Sequence, residues 1–174
     1  MALRWDIWCA GNVSHDFTCG VRTLDRPFYT VVIAVASRSL YRGRHFAKLH
    51  KIPEFYGSYA ILAADKDVDM VYVVSTNSEH LILCTFFLNH KEHVLCEKTL
   101  GLNLQQVQQI TNLARRTTYF IWREYGVDFF PVYKKVRDII AKKKIGAVKI
   151  VRSSFGLPRL NSAKVVTKVN SELN

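Results

Sequence analysis

A chain of 174 residues that is 49% apolar can enclose one ordinary domain and the start of another, which excludes a disordered polypeptide. Its 25 Lys and Arg against 14 Asp and Glu leave a net charge of +11, which suits an anionic partner such as nucleic acid, acidic lipid or a phosphorylated cofactor. No zinc-ribbon, RNP or helix-turn-helix pattern accompanies the charge, and no apolar run reaches the roughly 18 residues of a membrane span, so nucleic acid and membrane rank last.

Met1 to Trp5 leads directly into an apolar strand with no secretory leader, so a reducing, cytoplasmic setting is expected. Strands are predicted at Leu3 to Ala10, Val31 to Ala36, Met70 to Ser75, His93 to Glu97 and Thr118 to Trp122. Helical stretches alternate with them: Asn12 to Leu24, a helix capped by Ser39 and running to about His50, Leu81 to Leu88, and a helix opened by Asn103 and Gln106 as a capping box. Such alternation predicts an α/β fold with a parallel sheet wrapped by helices. Pro131 then opens a helix with Val132, Val136, Ile139 and Ile140 on one face. Lys142, Lys143 and Lys144 fall at its end, and Gly146 stops it. A further strand is expected at Ala147 to Phe155, followed by a polar, patternless tail. Cys9, Cys19, Cys84 and Cys96 lack CxxC spacing. Three of them sit among apolar residues, so structural burial is expected and no metal.

Chemistry concentrates where strands end. After the first strand, Cys9-Ala10-Gly11-Asn12-Val13-Ser14 keeps only the second glycine of the dinucleotide-binding GxGxxG turn, with Cys9 and Ser14 at the first and third positions. After the second strand, an NAD-specific site would carry an acid on the ribose. Here stand Ser37 and Arg38, with Arg42 a turn later, residues that suit a 2′-phosphate and favour NADP; the alternative is a pair of exposed arginines on an ordinary helix.

Thr76-Asn77-x-x-His80 followed by Leu95-Cys96-Glu97-Lys98 resembles the paired signature of the Gfo/Idh/MocA oxidoreductases, whose second motif usually reads EKP and here has Thr99 for the proline. Ser14-x-Asp16-Phe17-Thr18, Ile52-Pro53-x-x-Tyr56-Gly57-Ser58-Tyr59 and Phe129-Phe130-Pro131 resemble one branch of that family, which oxidises trans-dihydrodiols of aromatic hydrocarbons and D-xylose with NADP. The resemblance implies a Rossmann-type doubly wound sheet over residues 1–122, the start of a truncated substrate domain over 123–156, and an irregular tail over 157–174. It further implies cofactor contacts from Ser75, Thr76, Asn77 and Glu97, and a catalytic Lys98 beside the nicotinamide and the reacting hydroxyl. His80 is either a cofactor-side residue or a helix-start histidine.

Two departures matter. Gly126 and Asp128 stand where that branch has a tryptophan and an arginine facing substrate, and the family's tyrosine or histidine acid/base has no counterpart in residues 157–174. The expectation is therefore residual nucleotide binding with weak or no oxidation of a polyol, sugar or dihydrodiol, the family's dimer-forming domain being absent. The alternative is a non-catalytic interaction protein that offers the strand near Val148 to Phe155 as a pairing edge. Asp6, inside a strand that should be central, is expected to be costly.

Overall fold

A computed structural model of the chain describes residues 2–24, 30–123 and 130–154. Leu3, Trp5, Ile7 and Trp8, interleaved with Arg4 and Asp6, form β1 (Leu3–Trp8), and a short turn leads to α1 (Asn12–Arg22). There follow β2 (Thr30–Ala36), α2 (Leu40–His50), β3 (Glu54–Tyr56), α3 (Tyr59–Leu62), β4 (Met70–Val73), α4 (Asn77–Asn89), β5 (His93–Cys96), α5 (Leu104–Thr117) and β6 (Ile121–Arg123). All six strands pair in parallel in the order β3-β2-β1-β4-β5-β6. That is the doubly wound Rossmann order, and it fixes where a ligand can sit. Met1–Glu124 forms one compact unit and Tyr125–Asn174 a second, whose described part contains α6 (Pro131–Ala141).

The sheet has a core on each face. Ile7, Val35 and Tyr72 point to the layer containing Phe46, Ala47 and Ile52. Trp8, Ala34, Val71, Val94 and Cys96 point to the other, with Leu83, Cys84 and Phe87 of α4 and Ile110 and Ala114 of α5. Side-chain caps set the helix starts: Ser39 Oγ accepts from the Arg42 amide at 3.4 Å and Asn103 Oδ1 from the Gln106 amide at 2.9 Å. Gln106 Oε1 in turn accepts at 2.9 Å from the amide of Leu102, one residue before the cap and not from that of Asn103, so only the first half of the expected box forms and the return contact is shifted by one residue.

Asp6 violates the pattern as expected. It is 0% exposed, both carboxylate oxygens lack a hydrogen-bond partner, and the pairing of β1 with β2 slips a register between Trp5 and Asp6. Burial holds its carboxyl well above the usual range, with repulsion from Glu92 and Asp65 adding to the shift and the Ile7 backbone offsetting only part. Glu92, also buried, is pushed up to about 7 by burial and then by Asp65 and Asp69.

The structure corrects several expectations. β3 and α3 occupy a stretch with no predicted element. The helix expected from Leu81 starts at Asn77, and Thr118 is not in a strand but caps α5 in a left-handed conformation, φ +62°. No strand forms over residues 147–154, although Val148, Ile150 and Val151 have strand-like chemistry, and Phe155 lies outside the described residues. The pairing edge that would carry a pure interaction role is thus absent from those residues. Cys84 and Cys96 are buried, but Cys9 is half-buried and Cys19 exposed because it lies on the outer side of α1. Among the described residues, no helix is long and apolar enough to cross a membrane.

Candidate functional site

After β1 the chain moves outward to β2 and β3, then returns to the other side of β1 to add β4, β5 and β6. The crevice at the C-terminal ends of β1 and β4 is the topological switch point, where open α/β sheets bind ligands. The sequence-predicted residues gather there from four turns.

In the first turn, Gly11 is the N-cap of α1, with no side-chain cap and no acidic residue in the first turn of the helix, so the positive helix end is left for an external anion. A Cβ built on Gly11 would meet nothing within 4 Å, and its φ of −120° is extended. The glycine is therefore demanded neither by packing nor by backbone conformation, and its bareness keeps the approach to the helix end open. Asn12 is exposed beside it. Ser14 is buried, and its hydroxyl donates to the Cys9 carbonyl; it braces the turn from inside. Cys9 holds the place of the first glycine with φ +95°, a conformation that costs a side-chain-bearing residue roughly 1–3 kcal/mol. Cys9→Gly is expected to raise the unfolding free energy by about 1 kcal/mol after glycine's extra unfolded-state entropy is counted. Urea denaturation checks it, and a loss of stability would show that the thiol's packing outweighs the strain.

A cavity of about 100 Å³ opens at this edge, lined by Trp8 and Cys9 around the first turn, Ser37, Arg38, Ser39 and Arg42 around the second, and Ser75 and Glu79 around the third. Ser37 is buried; its amide donates to the Tyr56 carbonyl at 3.0 Å, so the end of β3 positions the turn after β2. Its hydroxyl accepts from the Ser39 amide at 3.3 Å. Arg42 Nη2 donates to the Ala10 carbonyl at 3.4 Å, laying that guanidinium over the glycine turn. Arg38 is 78% exposed and pairs at 3.1 Å with Glu79, in the first turn of α4. Glu79 was not legible as a site residue in the sequence, since only the fold brings it across to Arg38.

The TNxxH and EK turns are stitched together. Asn77 Oδ1 accepts from the Thr99 amide at 3.3 Å. His80, 0% exposed, places Nδ1 at 2.5 Å from the Thr99 carbonyl and Nε2 at 3.3 Å from the Ser75 carbonyl. Only the doubly protonated ring donates to both. Burial opposes that charge, and the Thr99 and Ser75 carbonyls favour it, the His80 pKa being held above its ordinary value. His80 thus stands in the first turn of α4, a buried helix-start histidine whose ring clamps the residue after Lys98. Tyr72 donates to Glu97 Oε1 at 2.5 Å, and Glu97 Oε2 accepts from the Lys98 amide at 3.3 Å, so the carboxylate is anchored. Lys98 is exposed at the rim, and the bond between Lys98 and Thr99 is cis. Ser75 and Thr76 shape the start of α4, with Thr76 Oγ1 at 3.1 Å from Ser78 Oγ. Gly126 and Asp128 lie outside the described residues.

Comparison with known proteins decides the family. The profile of the oxidoreductase family with an NAD-binding Rossmann fold, Gfo/Idh/MocA, matches residues 10–125. The chain belongs to the Gfo/Idh/MocA oxidoreductase family. It is 43% identical over 168 residues to trans-1,2-dihydrobenzene-1,2-diol dehydrogenase of Danio rerio, covering 97% of this chain and 50% of that protein. The enzyme of the same name from Homo sapiens is 34% identical over 171 residues, 98% of this chain and 51% of the other. The chain therefore spans about half the length of the curated relatives it matches. Among solved structures, an NAD binding oxidoreductase from Klebsiella pneumoniae superposes with a TM-score of 0.76 at 24% identity, over 84% of this chain and 40% of that one. A 3-ketoreductase mutant from Actinomadura kijaniata, in complex with TDP-benzene and NADP, gives 0.75 at 22%, over 82% and 43%. At such identities these two structures establish the fold, which this member of the Gfo/Idh/MocA family shares.

Proposed function

We propose that this Gfo/Idh/MocA chain binds NADP(H) along the C-terminal sheet edge and forms the nucleotide half of a dehydrogenase acting on a dihydrodiol or sugar-like alcohol. The observation that supports this most is the convergence of an uncapped α1 N-terminus, the open Gly11 and two guanidinium groups on one crevice. In this reading the pyrophosphate lies against the Gly11-Asn12 end of α1. Ser37, Arg38 and Arg42 take the 2′-phosphate, with Ser75, Thr76 and Asn77 beneath the nucleotide. Glu79 holds Arg38 in the free chain, so phosphate binding exchanges one anionic partner for another.

Bound nicotinamide supplies the hydride acceptor. Lys98 then stands at the rim to donate a hydrogen bond to the substrate oxygen, favouring its deprotonation through charge, while Glu97 fixes the backbone from which that lysine extends. The curated relatives carry dihydrodiol dehydrogenase as their name, which motivates the substrate class. Residues 1–174 alone are expected to turn such alcohols over weakly, because the family's acid/base tyrosine or histidine segment has no counterpart in residues 157–174. Homodimerisation, which the family resemblance implies, belongs to the same reading. Cys9, Cys19, Cys84 and Cys96 form no disulfide, which fits a reducing, cytoplasmic setting.

Arg38→Ala tests the cofactor choice. Loss of a charge-assisted phosphate contact is worth about 1.5–3 kcal/mol, so NADPH should bind roughly 10- to 100-fold more weakly and NADH nearly unchanged. Equal weakening of both nucleotides would remove the case for NADP.

A further inference from the structure

Away from the nucleotide edge, three side chains capable of ligating a metal meet between α1 and the end of α2. His15 and Cys19 are four residues apart on α1 and so share one face of that helix. His50, the last residue of α2 and only 2% exposed, reaches across to them. His15 Nδ1 lies 2.9 Å from His50 Nε2, and Cys19 Sγ lies 3.7 Å from His15 Nε2. One ligand atom from each residue falls within 4.8 Å of the others.

Packing alone does not account for these residues. His50 packs on Phe46 with ring centroids 4.3 Å apart and planes tilted by 39°, a contact that a phenylalanine would make equally well, and its buried Nδ1 has no hydrogen-bond partner. Its other nitrogen, Nε2, is aimed at His15 Nδ1 at 2.9 Å, and an ion between the two rings would replace that one hydrogen bond with a metal bond to each ring. His15 and Cys19 are both exposed, so an ion can reach them and their side chains are free to rotate.

We propose that His15, Cys19 and His50 form a site for a borderline-soft divalent cation, with zinc the best match. Two imidazole nitrogens and one thiolate suit Zn²⁺, and the cluster holds no carboxylate of the kind Mg²⁺ or Ca²⁺ requires. Tetrahedral zinc bonds of about 2.0–2.3 Å place neighbouring ligand atoms about 3.3–3.6 Å apart. Only one nitrogen of His15 can bind the ion, so the 2.9 Å and 3.7 Å contacts, made through opposite sides of its ring, are not both ligand spacings. With one atom from each residue the set spans up to 4.8 Å, and rotation of the exposed His15 and Cys19 side chains would draw it in. The fourth position faces solvent and would take water or an anion. The ion would tie α1 to α2 and thereby brace the two helices that follow β1 and β2. None of the side chains placed at the nucleotide edge takes part, so this site and the cofactor reading stand or fall separately.

The test is titration of the purified, reduced 174-residue chain with Co²⁺, followed by displacement with Zn²⁺. One equivalent of cobalt should produce a thiolate-to-metal charge-transfer band with tetrahedral ligand-field absorption, and zinc should bleach both. Cys19→Ser should abolish the charge-transfer band, and His15→Ala should weaken cobalt binding at least tenfold. Both positions are exposed, so far-UV circular dichroism should be unchanged. Zinc should raise the thermal midpoint of the wild type and not of either variant. Failure to develop the band at stoichiometric cobalt, or its persistence in Cys19→Ser, would overturn the proposal.

Discussion

Asp6→Val is expected to stabilise the chain by about 2–3 kcal/mol, because it removes a buried carboxyl whose two oxygens find no partner and replaces it with a β-branched residue in a central strand. That is a large share of a domain's net stability. The same substitution should flatten the pH dependence of folding. A carboxyl whose folded pKa is raised keeps its proton after the unfolded chain has lost it, so its contribution is complete below the unfolded value near 3.8 and is lost as pH rises toward the folded value. Glu92 acts in the same direction between its ordinary 4.5 and about 7. Wild-type stability should therefore fall from mildly acidic to neutral pH, and the fall should be shallower in Asp6→Val. Urea denaturation at a series of pH values reads both effects. If the valine variant were less stable, the carboxyl would have to be held by an interaction that outweighs its burial.

His80→Leu should act in the opposite sense and cost about 2–4 kcal/mol, since it leaves the Ser75 and Thr99 carbonyls without their shared donor. Because Thr99 follows Lys98, the loss should also weaken nucleotide binding beyond what global destabilisation explains at temperatures where the chain remains folded. His80→Gln, whose amide can donate to one carbonyl, should recover part of both losses. The raised pKa of His80 gives a further signature: its stabilising contribution is complete below 6.5 and disappears as pH rises through the elevated folded value. A leucine variant with unchanged stability and affinity would reduce the TNxxH histidine to packing.

The sequence carries much of this account, and its gaps have physical causes. The apolar runs at Val31 to Ala36 and Met70 to Val73 are legible because a parallel strand buried on both faces needs continuous hydrophobicity. β3 is not legible: three residues at a sheet edge contain too little alternation to register, and α3 is a single turn capped by Ser58. The apolar chemistry of Val148 to Val151 misleads because strand propensity becomes a strand only beside a partner. At the site, Gly11, Arg38 and Lys98 could be read from motif and turn position. The pairing of Arg38 with Glu79 and the internal role of Ser14 could not, since the first spans two turns of the fold and the second depends on which way a hydroxyl points. The His15-Cys19-His50 cluster escaped for a similar reason, its third member lying 31 residues beyond the second by sequence number.

Nucleotide binding at the sheet edge is tested most directly by titrating NADPH into the folded chain while following tryptophan emission, because Trp8 lines the crevice. Saturable quenching by NADPH, tighter than by NADH, is the predicted result; a chain that is folded by circular dichroism and yet shows no saturable response to either nucleotide would contradict it.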